Sequence, residues 1–148
     1  MADYTLIYDE TKQTCDIDIA SINSNQKVDV ETGQDLITAI QISLLSDRAA
    51  EADWTYSLDK RGWWGDADND RPLGSKLWTL AYLPAANTQT YLGRAEGYAI
   101  EALSWLIDDG ICRDVDCDAS YADSDLMLNI TLTKADNSTL QYAYLWLQ

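Results

Sequence analysis

This 148-residue chain contains no histidine and no phenylalanine, and only two prolines and three cysteines. Without histidine there is no Ser-His or Cys-His dyad to activate a nucleophile. Nor can a mixed Cys-His zinc site form, and Cys112 and Cys117 lack the close CxxC spacing of an all-cysteine one. Cys15, Cys112 and Cys117 are read as reduced thiols. No apolar run approaches the ~18 residues that a membrane span needs. The opening MADYTLIYDE is polar and acidic and lacks the apolar core of a secretory leader. Basic residues are also scarce: ten Lys and Arg stand against 25 Asp and Glu, a formal net charge of −15. Nucleic-acid binding relies on cations that neutralise phosphates, so no nucleic-acid partner is expected, and anionic membranes are disfavoured too. A basic protein partner is compatible with this charge, and so is plain solubility.

Amphipathic aromatics are abundant: six Trp and nine Tyr, with apolar residues at 47% of the chain. Such side chains combine an apolar body with a polar handle and are enriched at interfaces. The length suits one domain, 1–148, able to bury its own core.

Hydrophobic periodicity predicts an α+β fold: an antiparallel sheet with two main helices on one face, plus a Trp-rich central loop region. YTLIY (Tyr4–Tyr8) and the alternating CDIDIA (Cys15–Ala20) read as strands, and SINSNQK reads as a loop. Leu36, Ile37, Ile40 and Leu44 recur at spacings of three and four. They predict a helix to about Ser46, with Thr32 and Asp35 at capping-box spacing. A second helix is expected over about Thr90 to Asp109. Its stripe is Leu92, Ala95, Ala99, Ala102, Leu103, Leu106 and Ile107, and Gly110 is its stop. The small alanines would let it sit close to a sheet. Ser75 to Leu80 reads as a helical turn or a short helix capped by Ser75. Three strands follow: VDCDASY, LMLNITLT and, after the turn KADNST, LQYAYLWL. The last puts Leu140, Tyr142, Tyr144 and Trp146 on one face and Ala143, Leu145 and Leu147 on the other. A strand apolar on both faces is either central in its sheet or covered by a partner.

The stretch DKRGWWGDADND, Asp59 to Asp70, is the most unusual in the chain. Asp66, Asp68 and Asp70 fit the first, third and fifth positions of an EF-hand loop. The sixth position requires Gly and holds Arg71, and the twelfth requires Glu and holds Leu77. Asp114, Asp116 and Asp118 repeat the spacing, but in an alternating strand where they line the wet face. No metal ligands, cofactor-binding residues or catalytic residues are therefore expected. Two readings of Trp63 and Trp64 stay open. In one, both plug the domain's own core, with Gly62 and Gly65 letting the backbone turn tightly. Alternatively one plugs inward while its neighbour meets another protein, with Arg61 adding a planar donor fork.

RGWWGD (Arg61–Asp66), GSKLW (Gly74–Trp78), YAIEALSWLIDDGI (Tyr98–Ile111) and the upstream DLITAIQISLLSDRAA (Asp35–Ala50) occur in an order that resembles the Mu-type phage baseplate protein family, small wedge components of contractile tails. The resemblance covers about Asp35 to Val115 with specific motifs and extends more loosely into the C-terminal strands. It implies a non-enzymatic structural protein, the counterpart of a sheath-initiator wedge protein, whose sheet edge can take part in strand exchange with the sheath. It also implies larger wedge proteins, sheath and tube-proximal proteins as partners, sixfold copies around the tail, and residence in the virion after assembly in the host cytoplasm. The expected contact and motif residues are Arg61, Gly62, Trp63, Trp64, Gly65, Asp66, Gly74, Ser75, Trp78, Tyr142, Tyr144 and Trp146. The competing reading is an acidic protein-binding module such as a DNA-mimic inhibitor, and a third is a calcium-regulated module.

Overall fold

The computed structural model describes residues 6–9, 14–17, 19–22, 27–30, 35–68, 71–83, 88–122 and 125–146. The fold is α+β. The chain divides into two compact units, Met1–Ile42 and Ser43–Gln148.

In the first unit, β1 (Leu6–Asp9) pairs antiparallel with β2 (Thr14–Ile17), and β3 (Ile19–Ile22) pairs antiparallel with β4 (Lys27–Val30). The single strand expected over Cys15–Ala20 is therefore two strands, β2 ending at Ile17 and β3 beginning at Ile19. SINSNQK is not simply a loop either: Ser21 and Ile22 belong to β3 and Lys27 opens β4. Backbone pairing across a hairpin overrides the weak apolar content of this segment. The Thr32 cap lies outside the described residues.

Helix α1 (Asp35–Leu45) ends within one residue of its expected stop. Ile40 and Leu44 are buried, as the periodic stripe requires, and Thr38, Gln41 and Ser43 are buried beside them. Helix α2 (Thr88–Leu103) packs mainly on β5 of the sheet described below. Ala95, Ala99, Ala102 and Leu103 form its buried stripe, together with Tyr91, which the sequence reading did not include. The expected long helix is interrupted at Ser104. The Ser104 hydroxyl donates to the Glu101 carbonyl (3.0 Å), and this local bond competes with the helical ladder. A short α3 (Trp105–Asp108) follows. Leu106 is buried, whereas Ile107 is exposed, so the apolar stripe ends one residue earlier than expected. Gly110 closes the helix with φ +71°, and the amides of Ile111 and Cys112 both donate to the Leu106 carbonyl.

The C-terminal strands β5 (Asp114–Ala122), β6 (Asp125–Thr133) and β7 (Thr139–Trp146) form an antiparallel sheet in the order β5-β6-β7. Leu126, Leu128, Ile130 and Leu132 are buried on the core face of β6. They stand opposite Trp146, Tyr144, Tyr142 and Leu140 of β7. Val115, Cys117 and Ala119 of β5 are buried on that same face, and Asp114, Asp116 and Asp118 are exposed on the other. The central strand is β6, so β7 is an edge. Its two-faced apolar character does not come from a central position.

Candidate functional site

The site is built where the segment after α1 meets the RGWWGD and GSKLW motifs, all within the second unit. Gly74 adopts φ +96°, and a Cβ there would lie 2.4 Å from the Ser46 carbonyl oxygen. Only glycine fits. This close approach lets Ser75 pair with the chain leaving α1. Its amide donates to the Ser46 carbonyl (2.9 Å), its carbonyl accepts from the Arg48 amide (3.0 Å), and its hydroxyl donates to the Leu44 carbonyl (2.6 Å). The same hydroxyl oxygen accepts the Leu77 amide (3.3 Å), but the N-cap position of the 3-10 helix that follows, Leu77–Tyr82, is Lys76 and not Ser75 as expected. Lys76 joins Glu51 and Glu101 (3.2 Å to the latter). Burial works against the Lys76 ammonium, but the two carboxylates outweigh it and raise its pKa. The Glu51 carboxyl is correspondingly lowered, chiefly by its hydrogen bond to Lys76.

Trp78 is the buried tryptophan of the region, 5% exposed, and its indole N–H donates to the Arg48 carbonyl (2.8 Å). Trp54 and Tyr82 meet it edge-on, at 5.5 and 6.0 Å between ring centroids, and Tyr56 lies against Trp54 at 5.0 Å. Arg61 covers the Trp78 ring with its guanidinium 4.5 Å from the centroid. It also donates to Asp47 (2.7 Å). Its backbone has φ +48°, a conformation unfavourable for a side-chain-bearing residue. The Arg61 amide donates to the Asp59 carboxylate (2.9 Å), and the Ala50 amide donates to the Lys60 carbonyl (2.9 Å). These bonds hold the strained turn against the chain that leaves α1. The Arg61 fork is thus engaged within its own chain.

Neither Trp63 nor Trp64 plugs the core. Trp63 is 46% exposed and Trp64 is 84% exposed. The readings that sent both, or one, into the interior are corrected here. Gly62, at φ +100°, presses against Ala49. Trp78, reached through GSKLW, already fills the space beneath Arg61. The two rings contact each other at 5.4 Å, tilted by 50°, and Trp63 folds over the Gly65 backbone. They form the wall of an open groove of about 570 Å³, lined also by Arg48, Ala49, Arg61, Gly62, Asp66 and Pro72. Asp66 braces the loop by accepting the Leu73 amide on Oδ1 (3.0 Å). Its Oδ2 is enclosed and has no hydrogen-bond partner. The Asp68 side chain and Asp70 lie outside the described residues, and among those described no group of carboxylates or thiols could hold a metal ion.

The remaining expected residues lie on β7, away from this loop in the sequence. Tyr144 is buried in the core face and Tyr142 is half-buried. Trp146 is placed by its backbone opposite Leu126, and its side chain is outside the described residues. Sequence reasoning missed Arg48, Ala49 and Pro72 as groove walls and Leu58 as a fully exposed apolar side chain. The small pair Ala49-Ala50 just past α1 was the available signal for close backbone approach.

The sequence pattern of a family described as "Phage protein GP46" matches residues 36–139. "Baseplate protein gp46" of Escherichia phage Mu is 41% identical over 121 residues, covering 79% of this chain and 82% of that protein. "Mu-like prophage FluMu protein gp46" of Haemophilus influenzae is 41% identical over 111 residues, covering 74% and 76%. The chain belongs to the phage protein GP46 family, a family of Mu-type phage baseplate proteins. The matched span runs from α1 into the first residue of β7 and so contains the whole of the loop and its clamp.

Proposed function

We propose that the protein is a non-enzymatic small wedge component of a contractile tail baseplate. It links larger wedge proteins to sheath and tube-proximal proteins in sixfold copies, after assembly in the host cytoplasm. The observation that carries this reading is the unequal treatment of the two sheet edges. On β5, the Ala119 amide donates to the Glu96 carboxylate of α2 (3.1 Å), so that edge is closed by a side chain. An outward Ala119 amide means that its opposite residue, Leu128, directs its backbone to Tyr144 of β7. The Lys134 amide, bonded to the Ser138 carbonyl, continues the same alternation. Gln141 and Ala143 therefore turn their backbone N–H and C=O groups away from β6, towards the edge. No described strand pairs there. An exposed edge of this kind is a template for an added strand.

Ala143→Pro tests this. It removes an edge donor that the sheet does not use, so cooperative unfolding should persist. Assembly of contractile tails from the variant should fail, and Gln141→Pro should behave alike. Normal tails from both folded variants would overturn the reading.

The exposed row Asp114, Asp116 and Asp118 favours a second reading, an acidic module that imitates a nucleic-acid backbone. Competition with DNA for a DNA-binding enzyme is its test, and the absence of competition removes it.

A further inference from the structure

We infer that the Trp63–Trp64 groove is a docking site for an arginine-bearing segment of another protein. This surface is separate from the β7 edge and goes beyond the strand-pairing role proposed above. Three observations converge on it. Trp64 is 84% exposed and Trp63 46%, and both rings, tilted by 50° to each other, line the groove. Aromatic faces attract cations, and Trp does so best. The groove also contains a carboxylate, Asp66, with one oxygen bonded to Leu73 and the other enclosed without a partner. The Oδ2 atom is shielded from direct contact, so the contribution of Asp66 to an incoming cation is its negative charge in the groove wall. Finally, the two cations that line the groove are paired within the chain: Arg61 with Asp47 (2.7 Å) and Arg48 with Glu101 (3.2 Å). With these pairs closed and the chain at −15, the long-range field favours a basic partner.

Arginine fits better than lysine. A planar guanidinium can lie flat on an indole while its fork reaches a carboxylate. The same loop already shows half of this arrangement, in Arg61 over Trp78 at 4.5 Å with Asp47 on its fork. The partner's arginine would repeat it one step further out, stacked on Trp64 and directed to Asp66. Apolar neighbours of that arginine would rest on Trp63 and Pro72.

The test is titration of the full-length protein, at low ionic strength, with blocked tripeptides Gly-X-Gly, where X is arginine, citrulline or glutamate. Binding is read from the indole N–H resonances of the tryptophans. The expected result is a saturable shift of the Trp63 and Trp64 signals with the arginine peptide. It should be weakened about fivefold with uncharged citrulline and absent with glutamate. Asp66→Asn keeps an oxygen for the Leu73 amide but loses the charge, and Trp64→Ala removes an exposed face. Each should weaken the arginine response by a similar factor while leaving the other indole signals in place. Equal response to citrulline, a stronger response to glutamate, shifts confined to other tryptophans, or no shift with the arginine peptide would overturn the inference.

Discussion

The Trp63 ring lies across the backbone of Gly65, so closely that a Cβ on residue 65 would sit 2.4 Å from ring carbon Cη2. The second glycine of GWWG thus serves as a seat for an exposed ring rather than as a turn-former. Gly65→Ala should unseat Trp63. Because that ring is half in solvent, it can swing away, and the change in stability should stay below about 1 kcal/mol. Tryptophan emission should shift to the red while the Tm moves little. A large drop in Tm without a spectral change would contradict this account.

Gly74 behaves in the opposite way. Its φ of +96° and the Ser46 carbonyl oxygen 2.4 Å from a built Cβ leave an alanine neither conformation nor space. The obstacle is backbone, which cannot swing aside. Gly74→Ala should cost about 2–3 kcal/mol and lower the Tm accordingly, as measured by denaturant and thermal unfolding.

The tryptophans should separate by burial. Trp78→Ala removes a ring that is 5% exposed and breaks the bond to the Arg48 carbonyl, at an expected cost of about 3–5 kcal/mol. Trp64→Ala removes a ring that is 84% exposed and should cost less than about 1 kcal/mol. Paired urea titrations of the two variants check this, and equal losses would refute it.

Stability should fall on the alkaline side. Burial, reinforced by Glu96, Asp116 and Asp118, pushes the Cys117 thiol from an ordinary value near 9.0 up to about 12. Burial likewise raises the Tyr91 phenol from 10.0 to about 12, with Tyr121 stacked beside it at 6.3 Å. Above the ordinary thiol value the unfolded chain releases a proton that the folded chain retains. The unfolded state then binds fewer protons, and stability declines with rising pH. The contribution is complete below about pH 9 and is lost between about pH 9 and 12. Tm measured across this range should fall, and more shallowly in Cys117→Ala. At pH 8, Cys117 should react slowly with a thiol reagent until the protein unfolds.

Much of the framework was legible because it is written in local periodicity. The three-and-four spacing of Leu36, Ile37, Ile40 and Leu44 fixed the end of α1 to within a residue. The period of two in VDCDASY and LMLNITLT placed Cys117 and Leu128 inside and the three Asp of β5 outside, as found. Each of these patterns spans a few neighbouring residues, and every repeat of the pattern votes for the same face. The order of RGWWGD, GSKLW and the long helix also pointed to the family by sequence alone.

The aromatic loop was different. Its chain runs through irregular backbone, so no period says which ring turns inward. Trp78 became the buried ring because Gly74 admits the Ser46 carbonyl and Ser75 then ties Leu77 and Trp78 to the chain leaving α1, some thirty residues earlier in the sequence. With that place filled and roofed by Arg61, Trp63 and Trp64 were left outside. The edge position of β7 was equally non-local. Alternation states which face a residue takes, but only the order of strands decides which strands lie at the edges of the sheet. The sequence by itself determined where the helices lie, though not the break at Ser104, together with the faces of the β5–β7 strands and the family, since these rest on neighbours along the chain. Tertiary structure alone decided which tryptophans face solvent and which strands lie at the sheet edges, because that depends on carbonyls and side chains brought together from distant segments.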